Sequence, residues 1–149
     1  VLVLHGWIPD PDFREEILGK ISAFEGRVFL SSEILPAEEK FSVFQSADLC
    51  FVWFAPVDVN LKYAAGSAGK YYDSLRCGLP MIGNRIPMMK KLMDGVGLVA
   101  ESESEIVDAI RKIQAKYGIY RDRAFATFAD QEFGKSFSPV YKKIETLVK

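Results

Sequence analysis

Histidine occurs once in this chain, at His5, and cysteine twice, at Cys50 and Cys77. With no CxxC pair and no Cys/His cluster, the usual zinc-ligand spacings and a disulfide framework are both excluded, and the two thiols read as reduced and mostly buried. A cytoplasmic compartment is the expectation that follows. No apolar run approaches the roughly 18 residues of a membrane-spanning helix, and no stretch has the basic-then-apolar pattern of a signal segment. An excess of one charge is also missing: 19 Lys and Arg stand against 20 Asp and Glu. No nucleic-acid partner and no membrane-surface partner is expected, and any anion site has to be local.

Three nucleotide-handling motifs are absent too. No GxGxxG follows the first apolar run, where HGWIPD offers only Gly6. AAGSAGKYY contains Gly69-Lys70, but Ala64 stands where a P-loop needs its first glycine, and Tyr71 stands where it needs a magnesium-binding hydroxyl. A response-regulator receiver would need paired acids after the first strand and an Asp ending the third, where this chain has His5-Gly6 and Trp53-Phe54. No metal site is visible. His5, without a Ser, Cys or carboxylate partner at motif spacing, reads as structural.

What is present is apolar patterning. With 149 residues, 49% of them hydrophobic, a single domain over 1–149 with a substantial core is the expected organisation. Val1–Leu4, Arg27–Leu30, Leu49–Phe54, Pro80–Gly83 and Gly97–Ala100 read as buried parallel strands. Helical patterns separate them. Asp10-Pro11 caps one with Phe13, Ile17, Ile21 and Phe24 inward, and Pro36 opens another with Glu38 and Glu39 in its first turn. Ser102–Glu105 is a capping box ahead of Ile106, Ala109, Ile110 and Ile113. Tyr117–Phe128 is a further helix, and Ser138-Pro139 begins a last one with Val140, Tyr141, Ile144 and Leu147 inward. Strand alternating with helix predicts an α/β, doubly wound, Rossmann-like parallel sheet, with ligands at the strand carboxyl ends.

The segment 60–83, NLKYAAGSAGKYYDSLRCGLPMIG, carries the chemistry. Gly66, Ser67, Ala68 and Gly69 leave the backbone uncovered at a helix start, where unpaired N–H groups and the helix dipole favour an anion. Lys70 adds a full charge, and Asp73, about one turn on, is within reach of a hydroxyl attached to the phosphate. The long segment 55–69 ahead of that helix is read as a loop of functional length. The plainer alternative is that Gly66 and Gly69 only shape the start of the helix and Lys70 is solvated. Most of the aromatic residues fall at core spacing, with Trp7 and Tyr71 as the two candidates for base stacking.

Taken in order, VLVLHG, RVFLSSEILPAEEKFSVFQSADLCFVWF, GKYYDSLRCGLPMIG and DGVGLVAESESEIVDAI resemble the carboxyl-terminal, nucleotide-sugar-binding domain of the GT-B-fold glycosyltransferases of the large retaining "group 1" type. The resemblance spans almost the whole chain. It implies that Asp73, five positions before Gly78, holds the donor ribose in place of the family's usual Glu. Departures fall at Ala65, where the family often has a second Glu for the donor sugar, and at Trp7 and Asp12, where it usually has Arg and Lys facing the diphosphate. Lys70 would supply the missing charge, with Arg14 a weaker candidate.

The resemblance further implies the donor-binding half of a bacterial-type, metal-independent glycosyltransferase with no cofactor. It would bind a UDP-, GDP- or ADP-sugar and face an amino-terminal acceptor domain that this sequence lacks, so that the piece alone is expected to be inactive. Gly6, Ser67 and Gly69 would approach the diphosphate, Lys70 would neutralise it, Asp73 would hold the ribose, and Ile34 and Leu35 would line the base pocket. The closing helix, 138–148, would cross to the other domain. A non-catalytic nucleotide-sugar-binding or scaffold domain and half of a sugar-nucleotide epimerase are the alternatives.

Overall fold

In the computed structural model, which describes residues 1–131 and 133–147 and leaves aside the side chains of 133 and 136, each apolar run forms a strand close to its expected bounds. These are β1 (Leu2–His5), β2 (Val28–Ser31), β3 (Cys50–Val52), β4 (Met81–Asn84) and β5 (Gly97–Ala100). Every pairing is parallel: β1 with β2, β3 with β4, and β4 with β5. The chain divides into two units, Val1–Lys40 and Phe41–Lys149.

The first unit is a strand–helix–strand crossover. Asp10 caps helix α1 (Pro11–Ser22) by accepting the N–H of Asp12 at 2.9 Å and of Phe13 at 3.2 Å, and Pro11 takes the first helical position, where its missing N–H costs nothing. Ile17 and Ile21 are half-buried, whereas Phe13 and Phe24, expected inward, are exposed.

The second unit is built around β4, all four of whose residues are buried. Alternation along the strands sends side chains to opposite faces. Val52 and Met81 join one apolar cluster with Tyr71 and Leu75 of α4 (Gly69–Arg76), Met89 of α5 (Met89–Leu92) and Ala124 of α7 (Tyr117–Asp130). Ile82 and Ala100 join the other with Ala109 and Ile113 of α6 (Glu103–Ala115). The sheet is therefore covered on both faces, the three-layer arrangement of a Rossmann-like α/β fold. Close packing at its amino edge requires glycine at 97, since a Cβ there would collide with the Met81 carbonyl of the neighbouring strand.

Three helical expectations shift. Residues 37–39 form a turn closed by the Glu39 and Lys40 N–H groups on the Pro36 carbonyl, and helix α2 begins only at Lys40 (Lys40–Gln45). Segment 55–69 is not a bare loop: it holds helix α3 (Val59–Lys62), capped by Asp58 through the Leu61 N–H at 2.8 Å, and a 3-10 turn, Ala64–Ser67. The last helix, α8 (Phe133–Leu147), starts well before Pro139 and keeps the proline inside it. Val140, Tyr141, Ile144 and Leu147, expected inward, are exposed; Val148 lies outside the described residues.

Candidate functional site

The carboxyl edge of β3–β4–β5 is organised by Asn84. This residue ends an apolar strand, is 8% exposed, and uses both ends of its amide on one backbone unit: it accepts the Phe54 N–H at 3.1 Å and donates to the Phe54 carbonyl at 2.6 Å. The pair continues the β3–β4 ladder two residues past Val52 and leaves neither amide atom unpaired in a dry setting, where an orphan would cost about 1–3 kcal/mol. Phe54 is thereby fixed, and its ring lies under the Lys70 ammonium at 4.8 Å. This contact sets the amino end of α4 beside the carboxyl end of β3.

Between those two points the chain is pinned at intervals. Ala65 and Ala68 are buried in the core beneath the turn. The Tyr72 hydroxyl donates to the Gly66 carbonyl at 3.0 Å, and its ring meets that of Tyr71 edge-on at 5.1 Å. Ala68, the residue preceding α4, has no side-chain oxygen, so the first N–H groups of the helix receive no side-chain cap. Gly69 has open space where a Cβ would stand. Backbone amides and the helix dipole are available to an anion here.

Of the residues expected to bind the donor, Ser67, Gly69, Lys70 and Asp73 fall together on the 3-10 turn and the first turn and a half of α4. Ser67 differs from expectation in one respect: its hydroxyl donates to the Ala64 carbonyl at 3.2 Å, which leaves the oxygen an acceptor and not a free donor to phosphate. Lys70 is exposed, and Asp73 is half-buried on the same helix. Both are felt by the Cys50 thiol at the start of β3, whose pKa burial pushes up; the Ser74 hydroxyl and the Lys70 charge oppose that rise and Asp73 adds to it. A thiol held protonated in this way is a packing group and not a nucleophile. Cys50 and Cys77 are half-buried, less than the mostly buried thiols expected.

Gly6, Ile34 and Leu35 belong to the first unit. Gly6 follows β1 and donates its N–H to the Ser31 carbonyl at 3.0 Å, while His5 at the strand end meets the Ser31 hydroxyl at 3.0 Å, a structural role for the lone imidazole. Ile34 is 81% exposed and Leu35 half-buried. Arg14 stands on α1. Trp7 is 69% exposed. Tyr71 is 1% exposed, its ring lies in the core and its hydroxyl donates to the Leu92 carbonyl at 3.1 Å. Burial pushes its phenol pKa up, with Gln131 opposing and Tyr72 reinforcing the rise. The base-stacking expectation for Tyr71 is therefore corrected, because i, i+4 spacing with Leu75 turns it inward.

Two features of this edge had no reading in the sequence. Asn84 is one, although a polar residue closing the apolar run MIG is a visible signal. The other is Arg85, which reaches Glu101 at 3.2 Å and Glu105 at 4.0 Å and so ties the end of β4 to the start of α6.

No family model matches this chain, and no curated protein matches it in sequence. Among solved structures the chain is similar to sucrose-phosphate synthase from Thermosynechococcus elongatus, at TM-score 0.62 and 20% identity, over 98% of this chain. The chain spans 39% of that protein's length. At this identity the likeness is one of fold: parallel sheets flanked by helices, consistent with a Rossmann-like half of a GT-B fold.

Proposed function

We infer that the chain is the donor-binding half of a metal-independent glycosyltransferase and holds a nucleoside diphosphate sugar at the carboxyl edge of its strands. The single observation that carries this is the uncapped start of α4, with Lys70 fixed over Phe54 on one side and Asp73 one turn on. A diphosphate resting there would meet backbone N–H groups, the positive helix end and an ammonium. These stabilise a departing diphosphate by electrostatics already in place before reaction. Asp73 would accept from the ribose hydroxyls. The acceptor and the opposing wall of the cleft would come from a second Rossmann-like domain. A fold match with a synthase more than twice as long supports that division.

One observation favours a second reading, a domain that binds the nucleotide without transfer. Ala65, at the position where the resembled family often carries a Glu for the donor sugar, is 1% exposed and packed in the core. No carboxylate approaches the sugar from there.

Lys70→Ala and Asp73→Asn test the site by calorimetry. Loss of Lys70 should weaken both pyrophosphate and nucleoside diphosphates by about 1.5–3 kcal/mol, the usual worth of a charge-assisted contact, with the fold retained. Asp73→Asn should weaken the nucleotides and leave pyrophosphate unchanged. Wild-type affinity in Lys70→Ala, at equal melting temperature, would reduce this turn to a helix start without a ligand.

A further inference from the structure

A polar cleft lies on the opposite edge of the sheet from Lys70. It lies where Asp48 precedes β3 and Leu79 precedes β4, at the carboxyl end of α4, and so is separated from Gly69 by the helix length of roughly 12 Å for eight residues at 1.5 Å each. Its volume is about 380 Å³, and its charged lining is Arg76, Arg121 and Asp48. Two cations face one carboxylate.

Each arginine has an aromatic ring beside its guanidinium. The Arg76 guanidinium lies 4.0 Å from the centroid of the Phe41 ring, and that of Arg121 lies 5.8 Å from the centroid of Phe125. The Phe125 ring is itself fixed, since it packs on Gly78 where even a Cβ would overlap it. A cation–π contact uses none of the guanidinium N–H donors in a hydrogen bond, and neither arginine forms an ion pair among the described residues. The cleft also receives the start of α7 at Tyr117. Lys116 caps that helix with no side-chain oxygen, and its carbonyl takes the N–H groups of Ile119 and Tyr120, so those of Tyr117 and Gly118 meet no side-chain cap.

We propose that this cleft binds the phosphate group of a small phosphorylated metabolite, at a site separate from the donor edge. Two forked guanidinium groups and a helix start bring more donors than a planar carboxylate can use, and they match the peripheral oxygens of a phosphate monoester. The volume also admits the organic body attached to it. Occupancy would be felt along α4, which begins at Gly69 and Lys70 and carries Asp73 one turn before Arg76, so the site is placed to couple a phosphorylated effector to the donor edge.

Amide-shift titration of the whole chain tests this, with inorganic phosphate, glycerol phosphate and acetate as probes. Both phosphates should give saturable shifts at Arg76, Cys77 and 117–121, with glycerol phosphate the tighter of the two and acetate at least about tenfold weaker. Arg76→Gln and Arg121→Gln should each weaken glycerol phosphate by at least tenfold at an unchanged melting temperature. If Arg121→Gln lowers that temperature, Arg121→Lys, which keeps the charge and loses the fork, should still weaken binding. Phosphate shifts confined to 66–73 would overturn this proposal while supporting the donor site. Equal affinity for acetate, or glutamine variants that bind as wild type, would also overturn it.

Discussion

Gly78 meets two demands that no other residue type can meet together. It sits at φ +67°, and the Phe125 ring occupies the space its side chain would fill. The positive φ closes α4 in a Schellman motif, with Leu79 N–H on the Ser74 carbonyl at 2.9 Å and Gly78 N–H on the Leu75 carbonyl at 3.1 Å. Gly78→Ala should therefore destabilise the fold by about 2–4 kcal/mol, a left-handed penalty plus overpacking, measurable by urea unfolding. At this scale much was legible: helix-Gly-Leu-Pro-strand announced the cap, and the Gly-Ser-Ala-Gly-Lys run announced an uncovered helix start. The bond between Asn84 and Phe54 was not legible, because it joins residues 30 positions apart and depends on strand register. Tyr71 was misread for a related reason: its sequence neighbours are the proposed donor-site residues, but its helical phase is that of Leu75.

Among the elements, α6 stands most clearly on local chemistry. The Ser102 hydroxyl accepts the Glu105 N–H at 3.2 Å, and the Glu105 carboxylate accepts the Glu101 N–H at 2.7 Å, one residue further back than the usual reciprocal bond. Ser102→Ala should cost about 1 kcal/mol in thermal or urea unfolding, as loss of a helix cap usually does. Arg85 adds little, since its ion pairs with Glu101 and Glu105 are half exposed and such pairs are worth roughly 0–1 kcal/mol. Proline was the less dependable marker. Pro36 sets a turn whose helix begins at Lys40, and Pro139 is carried inside α8, because proline at a given position excludes one hydrogen bond and does not by itself fix where a helix starts. The segment 55–69 read as a loop because α3 and its 3-10 turn are too short to leave a helical period in the sequence.

For the whole molecule, parallel strands and alternating helices follow directly from the sequence pattern, since parallel strands are continuous apolar runs and their crossovers need a helix, although β1, read as buried, is exposed at all four residues. The likeness in fold to a sucrose-phosphate synthase at 20% identity shows how little side-chain identity that architecture requires. Function cannot be read from architecture in the same way, because it resides in the few groups placed on that architecture. The measurement that bears most directly on donor binding is an amide-shift titration of this chain with UDP, GDP and ADP, with and without magnesium. The expected result is a saturable, magnesium-independent interaction of order millimolar, about −4 kcal/mol, weak because on the proposed reading a second domain supplies the other wall of the cleft. Shifts should centre on 66–73, and the parent nucleosides should bind much more weakly. Saturation by all three nucleotides with no shift at 66–73, or nucleosides that bind as tightly as their diphosphates, would contradict it.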